Sequence, residues 1–145
     1  MIEYNRHIFD TIDTSEKAYW LGFIVADGYL NIDKHMLRIK LGNEDKEHLK
    51  KFITFIDGNE TMLKSEINNL TGNTQWYVST YSKEIMLALK NLSVEQGKSG
   101  NEHIPIIPQE FYRDFIRGLW DGDGFIRESL TGIGLVGSKE CLEFV

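Results

Sequence analysis

The 145-residue chain carries 41% hydrophobic and 26% charged residues, the balance of a globular protein with one core, and no apolar run approaches the roughly 18 residues of a membrane span. A single cysteine, Cys141, excludes an internal disulfide, four scattered histidines leave no zinc-site spacing, and the opening MIEYNRHIFD is no signal peptide, so an intracellular location, cytoplasmic or organellar, is expected. Net charge is −6 and pI about 5.2, which counts against a uniformly basic nucleic-acid-binding surface; any contact with phosphates has to rest on a local gathering of Lys and Arg.

Residues 1–12 read as an extended lead-in, after which Asp13, Thr14 and Ser15 offer N-cap side chains and Glu16 is placed for a capping box with Asp13. The helix that follows stops at Gly28. From Tyr29 to Asp33 and from Met36 to Leu41 apolar residues alternate, with Leu30, Ile32, Leu37, Ile39 and Leu41 on one side and Tyr29, Asn31, Asp33, Arg38 and Lys40 on the other. Asp33-Lys34-His35 makes the hairpin turn, without the Gly or Asn common there. Asp45 to Ile56 returns to helical spacing, burying Leu49, Phe52, Ile53 and Ile56, and ends at Asp57-Gly58-Asn59.

Two more alternating runs place Leu63 and Ile67 against Lys64, Glu66 and Asn68 and, after Thr71-Gly72-Asn73, Trp76 and Val78 against Gln75, Tyr77, Ser79 and Tyr81. Ser82 caps a last helix through Leu92. Residues 1–92 thus read as an α+β unit, α-β-β-α-β-β-α, with a four-stranded antiparallel sheet. Residues 93–107 lose periodicity and contain Gly97, Gly100 and Pro105, a linker; residues 108–145 begin a second unit, with Pro108 in a first helical turn, a helix to Asp121, strands at 125–128 and 133–136, and a helix from Ser138. The second unit's last two strands and last helix are missing, so the second repeat is expected to be incomplete, as in a truncated product.

One stretch has an echo. Tyr19 to Gly28 reads YWLGFIVADG and Phe115 to Gly124 reads FIRGLWDGDG, which aligns Gly22 with Gly118, Ala26 with Gly122 and Asp27 with Asp123 at an offset of 96 residues. Small residues at i and i+4 leave a stripe without side chains on one helix face, and a glycine inside a helix costs about 1 kcal/mol against alanine, so two aligned glycines predict two helices packed closely on each other. Asp27 and Asp123 would then meet as like charges at helix C-termini, a double penalty that a divalent cation relieves.

These residues resemble the signature of the LAGLIDADG homing endonucleases, nine residues long, at Trp20 to Gly28 and Ile116 to Gly124; Val25 replaces an acid that Asp121 retains. The resemblance implies two repeats about a pseudo-twofold axis and a metal-dependent, site-specific double-strand DNA endonuclease, free-standing or from an intron or phage mobile element. It implies Asp27 and Asp123 as catalytic acids holding Mg2+ or another divalent cation, with the main-chain carbonyls of Ala26 and Gly122 as further ligands, and Lys98 as a basic residue approaching the scissile phosphates. It also implies a sheet laid in the major groove, read by Asn31, Arg38, Lys40, Lys64, Asn68, Gln75 and Tyr77, residue types suited to base edges. The full-length protein is expected to act as a monomer of two repeats and the half-complete chain to self-associate, with DNA and no membrane as partner. His103 lacks the second His and Asn spacing of finger-type nucleases. A non-cleaving DNA- or RNA-binding module of the same fold, or an α+β protein whose Asp-Gly helices are purely structural, are the rival readings.

Overall fold

In the computed structural model, which describes residues 3–92, 94 and 107–122, Thr14 starts the first helix, α1 (Ser15–Asp27), by accepting a hydrogen bond from the Lys17 amide at 3.1 Å. Since Lys17 occupies the third helical position, the capping box expected between Asp13 and Glu16 does not form. Asp13 pairs instead with the Lys17 ammonium at 2.9 Å, and that contact holds its carboxyl below the usual range. Every residue from Trp20 to Val25 is buried, as in a helix packed on several sides. No Asp-Gly turn ends α1. Gly28 is already extended, at φ −77° and ψ 147°, and its bare Cα lets the chain enter a strand directly: a Cβ there would lie 2.7 Å from the Ile24 carbonyl oxygen.

The chain continues through β1 (Gly28–Asn31), β2 (Met36–Gly42), α2 (Lys46–Phe55), β3 (Lys64–Ile67), β4 (Thr74–Tyr81), α3 (Lys83–Asn91) and, after residues outside those described, α4 (Tyr112–Gly122). This is the α-β-β-α-β-β-α order expected for residues 1–92. The strands form one antiparallel sheet of order β1-β2-β4-β3. Leu30, Leu37, Ile39 and Val78 turn to one face and join Phe23, Ile24, Leu49, Phe52, Ile53, Ile85 and Leu89 in the core. Serine 82 caps α3 as expected, accepting from the Ile85 amide at 3.2 Å.

Three expectations are corrected. Ile32, placed with the core side of the hairpin, is 56% exposed because β1 ends at Asn31; the turn forms without glycine because the Asn31 side chain accepts from the Lys34 amide at 3.2 Å and His35 takes the left-handed conformation at φ 52°. Ile67 is 64% exposed, since β3 is an edge strand whose four residues all face solvent. The lead-in is not simply extended: residues 6–9 turn, Ile8, Phe9 and Ile12 are buried, the Asn5 amide donates to the Ile56 carbonyl at 2.7 Å, and the Phe9 and Phe55 rings pack tilted with centroids 5.8 Å apart. Burying three large apolar side chains contributes roughly 1.5–3 kcal/mol apiece, which fastens the segment below α2.

No helix among the described residues is long and apolar enough to cross a membrane. The strands expected at 125–128 and 133–136, and the helix from Ser138, lie outside the described residues, as does most of the 93–107 linker.

Candidate functional site

The glycines decide how α1 and α4 meet. A Cβ added at Gly22 would collide with the Phe115 carbonyl oxygen and lie 3.0 Å from the Leu119 nitrogen; one added at Gly118 would collide with the Tyr19 carbonyl oxygen and lie 2.9 Å from the Phe23 nitrogen. The offset that carries Gly22 to Gly118 also carries Tyr19 to Phe115 and Phe23 to Leu119, so each contact has its image. Such reciprocity is the mark of a twofold arrangement, here between two segments of one chain. A turn further on, a Cβ at Gly122 would lie 3.0 Å from the Ala26 Cβ, so Ala26 and Gly122, expected together, are together. Early residues pair with early and late with late, so the helices run parallel and bring both C-terminal ends, with their partial negative charge, to one place.

There a cleft of about 380 Å³ opens, its walls including Asp27, Lys40, Asp45, His48, Asp121 and Gly122. The Tyr19 hydroxyl donates to Asp121 Oδ2 at 2.6 Å and sits 2.9 Å from His48 Nε2. With its one proton committed to Asp121, the hydroxyl accepts from the imidazole N–H, which sets the proton of His48 on Nε2. A hydrogen-bonded chain therefore runs from α2 through α1 to α4. The pair that the offset relates to Tyr19 and Asp121 is Phe115 and Val25, both buried. In the two copies of the repeated stretch, Val25 and Phe115 thus stand at the positions that Asp121 and Tyr19 hold in the other copy.

Asp27, the last residue of α1, stands in the cleft wall; Asp123 and Lys98 lie outside the described residues. Tyr19, His48 and Asp45 carried no signal in the sequence as site residues, and Asp121 carried only its place in the motif. Among the described residues no three His, Cys, Asp or Glu side chains converge closely enough to hold a metal ion by themselves.

The outer sheet face gathers most of the expected DNA-contacting residues by register. Tyr29 pairs with Arg38 and Arg38 with Ser79; Lys40 pairs with Tyr77 and Tyr77 with Lys64; Gly42 pairs with Gln75 and Gln75 with Glu66. Arg38 Nε donates to Ser79 Oγ at 2.8 Å and its guanidinium lies 4.6 Å from the centre of the Tyr77 ring, while Lys40 is bound to Glu66 at 3.0 Å. Asn68 is a correction. It falls one residue past β3, and its side-chain oxygen accepts from the Leu70 and Thr71 amides at 2.8 and 3.3 Å, so it builds the β3–β4 turn rather than the face. Asn31, at the end of β1, spends its oxygen on the hairpin turn.

Fold and site together define an α+β protein with a four-stranded antiparallel sheet and two motif helices packed reciprocally beside an acidic cleft. No family model matches the chain. It is similar to glutamine–fructose-6-phosphate aminotransferase (isomerizing) of Methanocaldococcus jannaschii, at 25% identity over 139 residues, which cover 92% of this chain and 12% of that protein.

Proposed function

We propose that the chain belongs to a site-specific double-strand DNA endonuclease of the LAGLIDADG kind, hydrolysing phosphodiester bonds with a divalent cation. The observation that carries the reading is the reciprocal fit of Gly22 and Gly118, which supports a functional rather than incidental repeat of the motif and sets Asp27 at the shared end of both helices. The 96-residue offset of the motif aligns Asp27 with Asp123.

A magnesium ion fits the donor chemistry there. The carboxylates facing the cleft are hard oxygen donors, no thiolate is among the described residues that line it, and the His48 ring is engaged with Tyr19. Magnesium takes one or two carboxylates and completes its shell with water and phosphate, so Asp27 and Asp121 in the cleft wall are donors of the kind it accepts. When bound, the cation would polarise the scissile phosphate and supply charge for the leaving oxygen. Asp27 would hold it, Asp121 would orient cleft water through the carboxylate that Tyr19 fixes, and Arg38, Lys64, Gln75 and Tyr77 would contact the DNA from the sheet. Lys98 would contact a scissile phosphate, as the resemblance implies.

The likeness to the Methanocaldococcus jannaschii protein spans 12% of that protein's length and gives no support to aminotransfer by this chain. The test is cleavage of a randomised duplex library in Mg2+ by the full-length protein. Discrete cut sites are expected, lost in EDTA and lost in Asp27→Asn, with duplex binding retained or tighter as one phosphate-repelling charge is removed. Binding without cleavage by the unaltered protein would favour the rival non-cleaving module, and absence of binding would leave the motif helices as structural.

A further inference from the structure

Along β2 from Lys40, away from the acidic cleft, the outer sheet face deepens into a recess of about 480 Å³. Its lining includes Tyr4, Arg6, Arg38, Lys64, Tyr77 and Tyr81, and contains no carboxylate. In a chain of net charge −6, three cations line one hollow with no acid among its described lining residues, a local gathering of positive charge in which Glu84 is the carboxylate that feels Arg6. Two of the six residues come from the N-terminal segment, and the sheet explains why they are there. β3 pairs with β4 only from Thr74 to Tyr77, so the edge of β4 beyond that point lacks a neighbouring strand. Side chains take its place. The Tyr81 amide donates to the Tyr4 hydroxyl at 3.0 Å, and Arg6 Nη1 donates to the Tyr81 carbonyl at 3.1 Å and to the Tyr4 hydroxyl at 3.2 Å. Arg6 also lies over the Tyr4 ring at 4.6 Å. Its guanidinium is therefore oriented before any ligand arrives, as is that of Arg38 on Ser79 and Tyr77.

We propose that this recess is a phosphate-binding subsite, in which Arg6 and Arg38 grip a phosphodiester of the bound nucleic acid and Tyr4 holds Arg6 in place. The inference rests on the DNA reading above and adds to it a contact from outside the four strands. Planar guanidinium groups with several donors match phosphate oxygens, and preorganisation by Tyr4, Ser79 and Tyr77 reduces the side-chain entropy lost on binding. The aromatic walls accommodate the sugar and offer no base-specific donor pattern, so the subsite sets register and affinity rather than sequence.

The experiment is a salt titration of duplex binding by fluorescence anisotropy for the full chain, Arg6→Gln and Arg6→Lys, with inorganic phosphate as a competing arm. Loss of one phosphate contact is expected to lower the slope of log K against log salt by about 1, equally for all duplex sequences, in Arg6→Gln, and Arg6→Lys is expected to restore most of it. Millimolar phosphate is expected to shift the Arg6 and Arg38 side-chain resonances in the unaltered protein less than duplex does. Equal or larger shifts with free phosphate would overturn the phosphodiester assignment in favour of a small-anion site. Duplex binding with an unchanged slope in Arg6→Gln would overturn the subsite alone, whereas no duplex binding by the unaltered protein would overturn both this inference and the DNA reading.

Discussion

At the scale of single residues, the interface between the motif helices holds a swap that can be tested in a thermodynamic cycle. Tyr19 and Asp121 form a polar couple, and Phe115 and Val25 stand at the matching positions of the other copy of the motif. Removing only the hydroxyl, in Tyr19→Phe, strips a half-buried carboxylate of a charge-assisted partner, which costs about 1.5–3 kcal/mol. Asp121→Val alone leaves the hydroxyl without its acceptor. The double variant Tyr19→Phe/Asp121→Val removes donor and acceptor together and installs the residues that the other copy carries, so its loss of stability in urea is expected to fall short of the sum of the singles by about 1 kcal/mol or more. Strict additivity would mean that the two side chains do not act as a pair.

At the scale of elements, backbone meets backbone where α1 crosses α4. A methyl at Gly118 would be driven into the Tyr19 carbonyl, an atom that cannot rotate away, so the helices must separate. Alanine's better helix propensity returns about 1 kcal/mol, yet overpacking of this kind costs about 1–3 kcal/mol and opens the seam along its length. Gly118→Ala is expected to lower the urea midpoint, with Gly122→Ala milder because its new methyl meets the Ala26 Cβ and the Phe23 carbonyl oxygen at 3.0 Å, tight contacts rather than an outright collision. A midpoint raised by Gly118→Ala would refute the close packing. Helix positions were legible because burial imposes a 3.6-residue period on α2 and because one missing stripe, Gly22 and Gly118, has few uses besides close approach. The edge strand is legible only in part: Leu63, just before β3, packs against the core as the alternation predicts, but Ile67 is exposed, and no local pattern encodes which strand lies at the edge.

At the scale of the whole molecule, an acidic chain has to present a basic face to bind DNA, and the register shows how far that goes. Lys40 and Tyr77 share a row with Lys64, but Glu66 reaches across to Lys40 at 3.0 Å and occupies part of its charge. That ion pair is partly exposed to solvent and stabilises the fold little, whereas a carboxylate beside approaching phosphates opposes binding. Glu66→Gln is expected to raise duplex affinity several-fold at low salt, with the gain shrinking as salt rises, and to leave thermal stability within about 0.5 kcal/mol. Affinity unchanged at low salt would show that the sheet's outer face is not where DNA sits.

What the sequence by itself determined was local and periodic: the order of helices and strands through residue 92, the Ser82 cap, the repeated Gly and Asp-Gly positions, and the apolar faces of the helices, all of which follow from side-chain spacing along one segment. The outer face was largely legible too, since a two-residue period assigns Arg38, Lys40, Gln75 and Tyr77 to one side wherever the strands lie. Only the tertiary structure decided that Asn68 belongs to a turn, that Ile8 and Phe9 are core, that β3 is the edge, and that Tyr19, His48 and Asp121 meet at the cleft. Those facts join residues as far apart as Tyr4 and Tyr81, or Tyr19 and Asp121, and a hydrogen bond of 2.6–3.2 Å is set by how whole elements dock, which no pattern within a single element contains.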